Sequence, residues 1–182
     1  MTLFLTGLIV FFGVHLVPVF SDLRGRLIQR LGEPVYKTAF ALISAVGFVM
    51  MLYGRGDMAF VPVFTPPAFS KGLAMIVMLP AFVLLVAAYF PCNIKRWVGH
   101  PMLLAVFLWS SVHVLANGDR ASLMLFGAFL LYAIIDWLSA RKRPAKPMSA
   151  FSPTRDFVVV VVGVVAYVLV FRLHERFFAP LT

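Results

Sequence analysis

The chain has 182 residues, of which 62% are hydrophobic and only 13% are charged, and its formal net charge is +9. Soluble domains carry about 25% charged residues, so this composition excludes an ordinary water-soluble protein. The basic excess does not indicate nucleic-acid binding, because no compact basic domain is present and because Lys and Arg collect in the cytoplasmic loops of membrane proteins.

Apolar runs of about 18 or more residues indicate membrane-spanning helices, and their lack of a period-two alternation argues against a β-barrel. We therefore predict an all-α fold, a polytopic membrane helical bundle of about six transmembrane helices in one domain. The spans are predicted at about 3–20, 35–53, 72–90, 101–117, 121–139 and 157–171. They form a core over about 1–140, followed by a basic linker at 140–156 and a C-terminal helix at 157–173.

The first span contains His15 in the sequence GVHLVPVF, at a depth where the surroundings are hydrocarbon. Pro18 follows three residues later and removes the amide that would bond the Val14 carbonyl, so we expect a local kink beside His15. A histidine inside a membrane span is costly, which makes it a candidate functional residue.

Basic residues follow the first span in the sequence SDLRGRLIQR. The first, third and fifth predicted loops, together with Lys37 at the start of the second span, hold 11 of the 16 Lys and Arg residues. Because cytoplasmic loops carry the excess of positive charge, we expect both termini on the outer side, and a bacterial inner membrane is the simplest location. The single cysteine, Cys92, excludes an intrachain disulfide and a thiolate metal cluster.

The fourth span ends in the sequence WSSVHVLANGD, which places polar side chains at the end of an apolar run. Ser110, His113 and Asn117 are spaced i, i+3 and i+7, so they share one face of a helix. This face must point into the bundle, away from lipid. One explanation is hydrogen bonding between helices, worth roughly 1 kcal/mol in a membrane. The other is that His113 binds a ligand.

Two membrane histidines on two helices, His15 and His113, suit the binding of a metal or of haem, for which a neutral imidazole is a common axial ligand. A proton relay is not favoured, because neither span places an Asp or Glu in mid-membrane. With a rise of about 1.5 Å per residue and a core about 30 Å thick, His15 lies about 18 Å and His113 about 12 Å below the outer face. This offset of about 6 Å is compatible with two side chains that bind one tilted haem.

The other candidate residues are polar groups near the membrane surfaces. His100 precedes Pro101, which suits the first turn of a helix, and we expect His100 to cap that helix or to meet a lipid phosphate or a haem propionate. His174 is interpreted as an interfacial residue of the tail. Three arginines are candidate partners of haem propionates, although the positive charge of cytoplasmic loops explains each of them more simply; they are Arg24, Arg26 and Arg96.

Two stretches of the sequence carry a family pattern. They are GVHLVPVFSDLRGRLIQRLGEPVYKTAFALIS and GHPMLLAVFLWSSVHVLANGDRASLMLFGAFLLYAIID. The combination of H…LR…LGE…YK…S with HP…W…H…NGD…SL.LFG resembles the NnrU family of bacterial membrane proteins, from the first span through the fifth. The sixth span carries little of this pattern.

The resemblance implies a cofactor and two residues that hold it. The family is linked to the expression of nitrite and nitric oxide reductases in denitrifying bacteria. Its superfamily includes the plant 15-cis-zeta-carotene isomerase, a membrane haem b enzyme whose haem is held by membrane histidines. By motif, those histidines correspond to His15 and His113. Haem b is therefore the leading candidate cofactor. The expected partners are the lipid bilayer and, as a candidate ligand, a hydrophobic small molecule.

The sequence departs from the family pattern at Gly99, because the usual RHP reads GHP here and Arg96 stands three residues earlier. Membrane methyltransferases share an RHP-like helix start, but no acidic or asparagine cluster for a methyl donor accompanies it. Three functions compete: a haem b protein with a redox or isomerase-type reaction, a non-enzymatic accessory factor of denitrification enzymes without haem, and a small transporter. The absence of inverted repeats disfavours the transporter. Both an enzymatic and a non-enzymatic role fit the sequence.

The charge distribution generates a prediction about topology. Reporter fusions at Arg143 and at Thr182 should behave oppositely, with a cytoplasmic reporter active at Arg143 and a periplasmic reporter active at Thr182, because positive loops stay inside. A periplasmic reporter that is active at Arg143 would contradict the predicted orientation.

Overall fold

The computed structural model describes residues 1–142 and 149–177, with side chains described up to residue 174. In these ranges the chain forms eight α-helices, a 3₁₀ turn and connecting loops. The helices are α1 Thr2–Leu16, α2 Ser21–Leu31, α3 Glu33–Gly56, α4 Ser70–Tyr89, α5 Asn93–Val98, α6 Pro101–Ala116, α7 Arg120–Ala140 and α8 Pro153–Phe177. This architecture confirms the predicted all-α fold class.

Six apolar helices coincide with the six predicted spans. Five of them are long and apolar enough to cross a membrane, namely α1 with its 3₁₀ turn, α3, α4, α7 and α8. The sixth, α6, is also apolar but has 16 residues, which is about 24 Å of helix. Large side chains such as Ile9 and Ile76 remain 73% and 72% exposed, as expected where lipid covers the surface. The chain is a multi-pass membrane protein.

The predicted kink beside His15 takes the form of a change in helix type. α1 ends at Leu16 and is followed by a 3₁₀ turn at Val17–Val19 that contains Pro18. The Val17 amide bonds the Val14 carbonyl, three residues back. Because the chain tightens here, it leaves the direction of α1 and can begin α2 two residues later.

Two short helices lie in segments that were predicted as loops, α2 and α5. Both connect spans at the same end of the bundle. α2 is separated from α3 by Gly32, whose backbone angles are φ 80° and ψ 151°. Only glycine adopts this conformation without strain, so the glycine of the LGE motif is required by the helix junction.

The C-terminal helix begins at Pro153 rather than at 157, and the predicted linker at 140–156 lies partly outside the described residues. The Asp156 carboxylate accepts a hydrogen bond from the Asn93 side-chain amide at 2.6 Å and from the Ile94 backbone amide at 3.0 Å. These two bonds hold the first turn of α8 against α5, and the helix therefore starts before its apolar run.

The long helices pack against one another in the order α3, α1, α7, α6, α4, α8. In this order α7 lies between α1 and α6, the two helices that carry His15 and His113. α1 and α3 approach each other closely at Gly7, where a Cβ atom would lie 2.6 Å from the Met51 amide nitrogen. Small residues that let two backbones approach closely are typical of helix pairs in membranes.

The loops at one end of the bundle interlock. The turn between α6 and α7 presents the Gly118 carbonyl, which accepts hydrogen bonds from the amides of Val63 and Phe64 at 2.7 and 3.2 Å. We call this end the Asp119 end, defined by residues 57–69 and 117–119, and we call the opposite end, defined by α2 and α5, the α2 end.

The glycine contacts generate a prediction about stability. Gly7→Ala should lower the thermal unfolding temperature of the detergent-solubilised protein, because the added methyl group overlaps the backbone of α3 and overpacking costs roughly 1–3 kcal/mol. Gly13→Ala, on the same helix, is the matched control, since no atom lies within 4 Å of its Cβ position. Circular dichroism during heating measures both, and equal unfolding temperatures would contradict the importance of this contact.

Candidate functional site

The His15 imidazole lies among aromatic rings from three helices. It stacks on Phe11 of α1, with ring centres 4.1 Å apart. The rings of Phe40 from α3 and Tyr132 from α7 have their centres 5.0 and 5.7 Å from that of His15. The side chain is therefore half-buried inside the bundle.

The second histidine, His113, has a similar aromatic environment near the Asp119 end. Its ring centre lies 5.3 Å from that of Trp109 on its own helix and 4.5 Å from that of Phe126 on α7. A third neighbour is the ring of His174 on α8, at 6.4 Å. The sequence interpretation of His174 as an interfacial tail residue missed this contact, because no local pattern links α8 to α6.

Both histidines are oriented by the same hydrogen bond. The Nδ1 atom of His15 lies 2.7 Å from the Phe11 carbonyl oxygen, and that of His113 lies 2.8 Å from the Trp109 carbonyl oxygen. A carbonyl oxygen only accepts hydrogen bonds, so Nδ1 carries the proton in each ring. The Nε2 atom of the neutral ring is then a free electron-pair donor. Histidines that bind metals are fixed in this way, with the other ring nitrogen bonded to an oxygen.

The polar face of α6 points inward, as the spacing of its residues predicts. Ser110 is fully buried, and His113 and Asn117 are partly buried. Ser110 donates to the Val106 carbonyl at 2.7 Å, and Asn117 donates to the His113 carbonyl at 2.8 Å. Their recorded hydrogen bonds, like that of His113, return to α6 itself. Within the described part of the chain, these bonds do not support the alternative of hydrogen bonding between helices.

His15 and His113 contact α7 at different heights. His15 contacts that helix at Tyr132 and His113 contacts it at Phe126, and six residues correspond to about 9 Å along a helix axis. The two histidines are joined by successive ring contacts of 4.1, 5.6, 5.1 and 5.3 Å, which pass through Phe11, Phe129 and Trp109. Aromatic side chains, above all Phe129, thus occupy the space between them.

A polar region lies on the face of α3 that carries Phe40, whose ring contacts His15. Tyr36, Phe40 and Ser44 follow one face of α3 with spacing i, i+4 and i+8. The buried hydroxyls of Tyr36 and Ser44 form no hydrogen bond with the described residues. The Arg24 guanidinium lies 5.9 Å from the centre of the Tyr36 ring. Of the predicted arginines, Arg24 is thus the one that the fold brings towards His15.

The other predicted site residues lie elsewhere on the surface of the α2 end. Arg26 is exposed and donates from Nε to the Asp22 carbonyl at 3.4 Å. Arg96 is exposed on α5. His100 is exposed at the first residue before α6, where its side chain forms no capping hydrogen bond. The expected capping role of this imidazole is therefore not seen.

Glycines of the family pattern have structural explanations. Gly99, which replaces the arginine of the usual RHP, has φ 74°, a value at which any other side chain is strained. Gly118 of the NGD turn lies against the Phe64 carbonyl, and a Cβ atom there would overlap it. These residues shape the chain around the histidines rather than contact them.

Asp119 of the NGD turn holds the Asp119 end together. Its carboxylate caps α7 by accepting a hydrogen bond from the Ser122 amide at 3.0 Å. Arg55 of α3 lies 3.8 Å from this carboxylate and donates to the Ser122 hydroxyl at 2.8 Å. Burial alone would raise the pKa of Asp119, but the hydrogen bonds from Ser122 and the charge of Arg55 together hold its pKa below the usual value.

Comparison with known families gives one match over nearly the whole chain. The family model described as NnrU protein matches residues 3–180. This range extends beyond the two motif-bearing stretches and includes α8. Neither a curated protein nor a solved structure matches the chain.

The lowered pKa of Asp119 generates a prediction about pH. A depressed pKa means that the ionised carboxylate stabilises the fold above the unfolded pKa of about 3.9 and that this contribution is lost as pH falls through the folded pKa. Asp119→Asn should therefore lower the free energy of unfolding at pH 7 by about 1–3 kcal/mol. At pH 3 the difference in free energy of unfolding between the variant and the wild type should be smaller. Chemical unfolding at both pH values measures this, and a difference that stays constant would contradict it.

Proposed function

This chain belongs to the NnrU family, and we propose that it binds haem b inside the membrane through intramembrane histidines. The family resemblance implies His15 and His113 as the two iron ligands. Haem would supply a redox-active iron whose potential depends on these axial ligands. The protein would orient the imidazoles and exclude water from them.

One observation carries the proposal. In both histidines the Nδ1 proton is bonded to a carbonyl oxygen of the same helix, at 2.7 and 2.8 Å. Each neutral ring therefore presents Nε2 as an oriented electron-pair donor among aromatic side chains, which is the donor chemistry that haem iron accepts. A buried imidazole with a purely structural role would be expected to use both nitrogens in hydrogen bonds.

The polar region beside His15 supports the same proposal. The hydroxyls of Tyr36 and Ser44 are buried without a hydrogen-bond partner among the described residues, and such groups are costly unless a ligand or water satisfies them. Arg24 lies over Tyr36 and is suited to pair with a propionate. Arg26, Arg96 and His100 remain propionate or lipid-phosphate candidates at the same end of the bundle.

Two biological roles follow for a membrane haem protein of this family. The first is a role in the expression or maturation of nitrite and nitric oxide reductases, and the second is a haem-dependent redox or isomerase-type reaction on a hydrophobic small molecule. We propose a bacterial inner membrane with both termini outside, since the first, third and fifth loops together with Lys37 hold 11 of the 16 basic residues. In that orientation His113 lies near the outer surface.

His113 is the residue on which the proposal depends. His113→Ala should abolish or strongly weaken haem retention, because it removes the donor whose ring is enclosed by Trp109 and Phe126. The measurement is the reduced-minus-oxidised absorption spectrum of the detergent-purified protein, which should show a six-coordinate b-type haem in the wild type.

Ser111→Ala is the matched control on the same helix, since in the described part of the chain its hydroxyl bonds the Phe107 carbonyl of α6. This variant should keep the wild-type spectrum. No Soret band in the wild type after haem reconstitution would contradict the proposal and would favour the accessory factor without haem.

A further inference from the structure

His174 stands beside His113 at the Asp119 end of the bundle. The two ring centres are 6.4 Å apart, with 47° between the ring planes. The two residues are 61 positions apart in the sequence and lie on different helices, α6 and α8. Their proximity is therefore produced by the packing of the bundle.

The position of His174 is fixed by contacts along α8. At the α2 end, Asp156 is bonded to Asn93 at 2.6 Å. In the middle, Gly163 lies against the backbone of Val83, where a Cβ atom would approach the Val83 Cα to 2.7 Å. Nearer His174, the Tyr167 hydroxyl donates to a backbone carbonyl of α4 at 3.1 Å. Because contacts at three positions along α8 hold the helix in the bundle, His174 has a defined position.

The spacing of the two rings matches that of two ligands of one metal. Histidine nitrogens bind metal ions at about 2 Å, so two imidazoles on opposite sides of one iron have ring centres roughly 6 Å apart. The observed 6.4 Å between His113 and His174 is close to this value. Among the described side chains, three aromatic rings lie between His15 and His113.

We propose that His174, rather than His15, is the second imidazole that binds the iron held by His113. This inference rests on the proposed haem function and refines its ligand set. His15 then takes no part in binding this iron and keeps its ring contacts with Phe11, Phe40 and Tyr132.

The test compares two histidine variants of the full-length protein, His174→Ala and His15→Ala, purified in detergent with haem. Absorption and electron paramagnetic resonance spectra report the number of axial ligands. His174→Ala should lose the six-coordinate low-spin signature, and added imidazole should restore it, which a misfolded variant would not allow. His15→Ala should keep the signature.

Leu173→Ala is the control for α8, because it changes an exposed side chain next to His174 and keeps the contacts that hold the helix. It should retain six-coordinate haem. A wild-type spectrum in His174→Ala, or loss of the low-spin signature in His15→Ala, would overturn the assignment of His174 while leaving the haem proposal intact. A wild-type protein that binds no haem would overturn both.

Discussion

The arrangement of this protein depends on the requirement that polar groups surrounded by lipid find their hydrogen bonds within the protein. In α6 the buried Ser110 and the half-buried His113 and Asn117 all bond carbonyl oxygens of their own helix. His15 does the same in α1. This solution satisfies each side chain without a partner on another helix. For a histidine it leaves one nitrogen unused, and this nitrogen is what a metal or haem can bind.

Helix contacts then determine which of these histidine nitrogens lie close enough together to bind the same ligand. α1 is held on α3 through glycines such as Gly7, and α7 occupies the space between α1 and α6. Phe129 of α7 contacts both Phe11 and Trp109 and so fills the interior between His15 and His113. α8 packs on α4 and carries a histidine to the height of His113. The ligand set of the proposed haem therefore depends on which helices are neighbours.

The family pattern combines two kinds of residue. Some residues shape the chain. Gly32 forms a helix junction, and Gly118 lies in a turn against the Phe64 carbonyl. Asp119 caps a helix and lies beside Arg55. Within the described residues, the side-chain hydrogen bonds of His15 and His113 return to their own helices, so neither side chain joins two segments in this way. In a family motif, the residues without a packing explanation are the better candidates for chemistry.

The sequence by itself determined the properties that depend on local composition. Hydropathy located all six apolar helices within a few residues, and spacing turned Ser110, His113 and Asn117 to one inward face, because lipid imposes the same condition on every turn of a helix. It did not identify α2 and α5, whose polar sequences resemble loops. Only the tertiary structure decided that α7 separates His15 from His113 and that His174 lies beside His113. Such neighbours depend on how helix surfaces fit together across the bundle, and no residue spacing within a single helix contains that information.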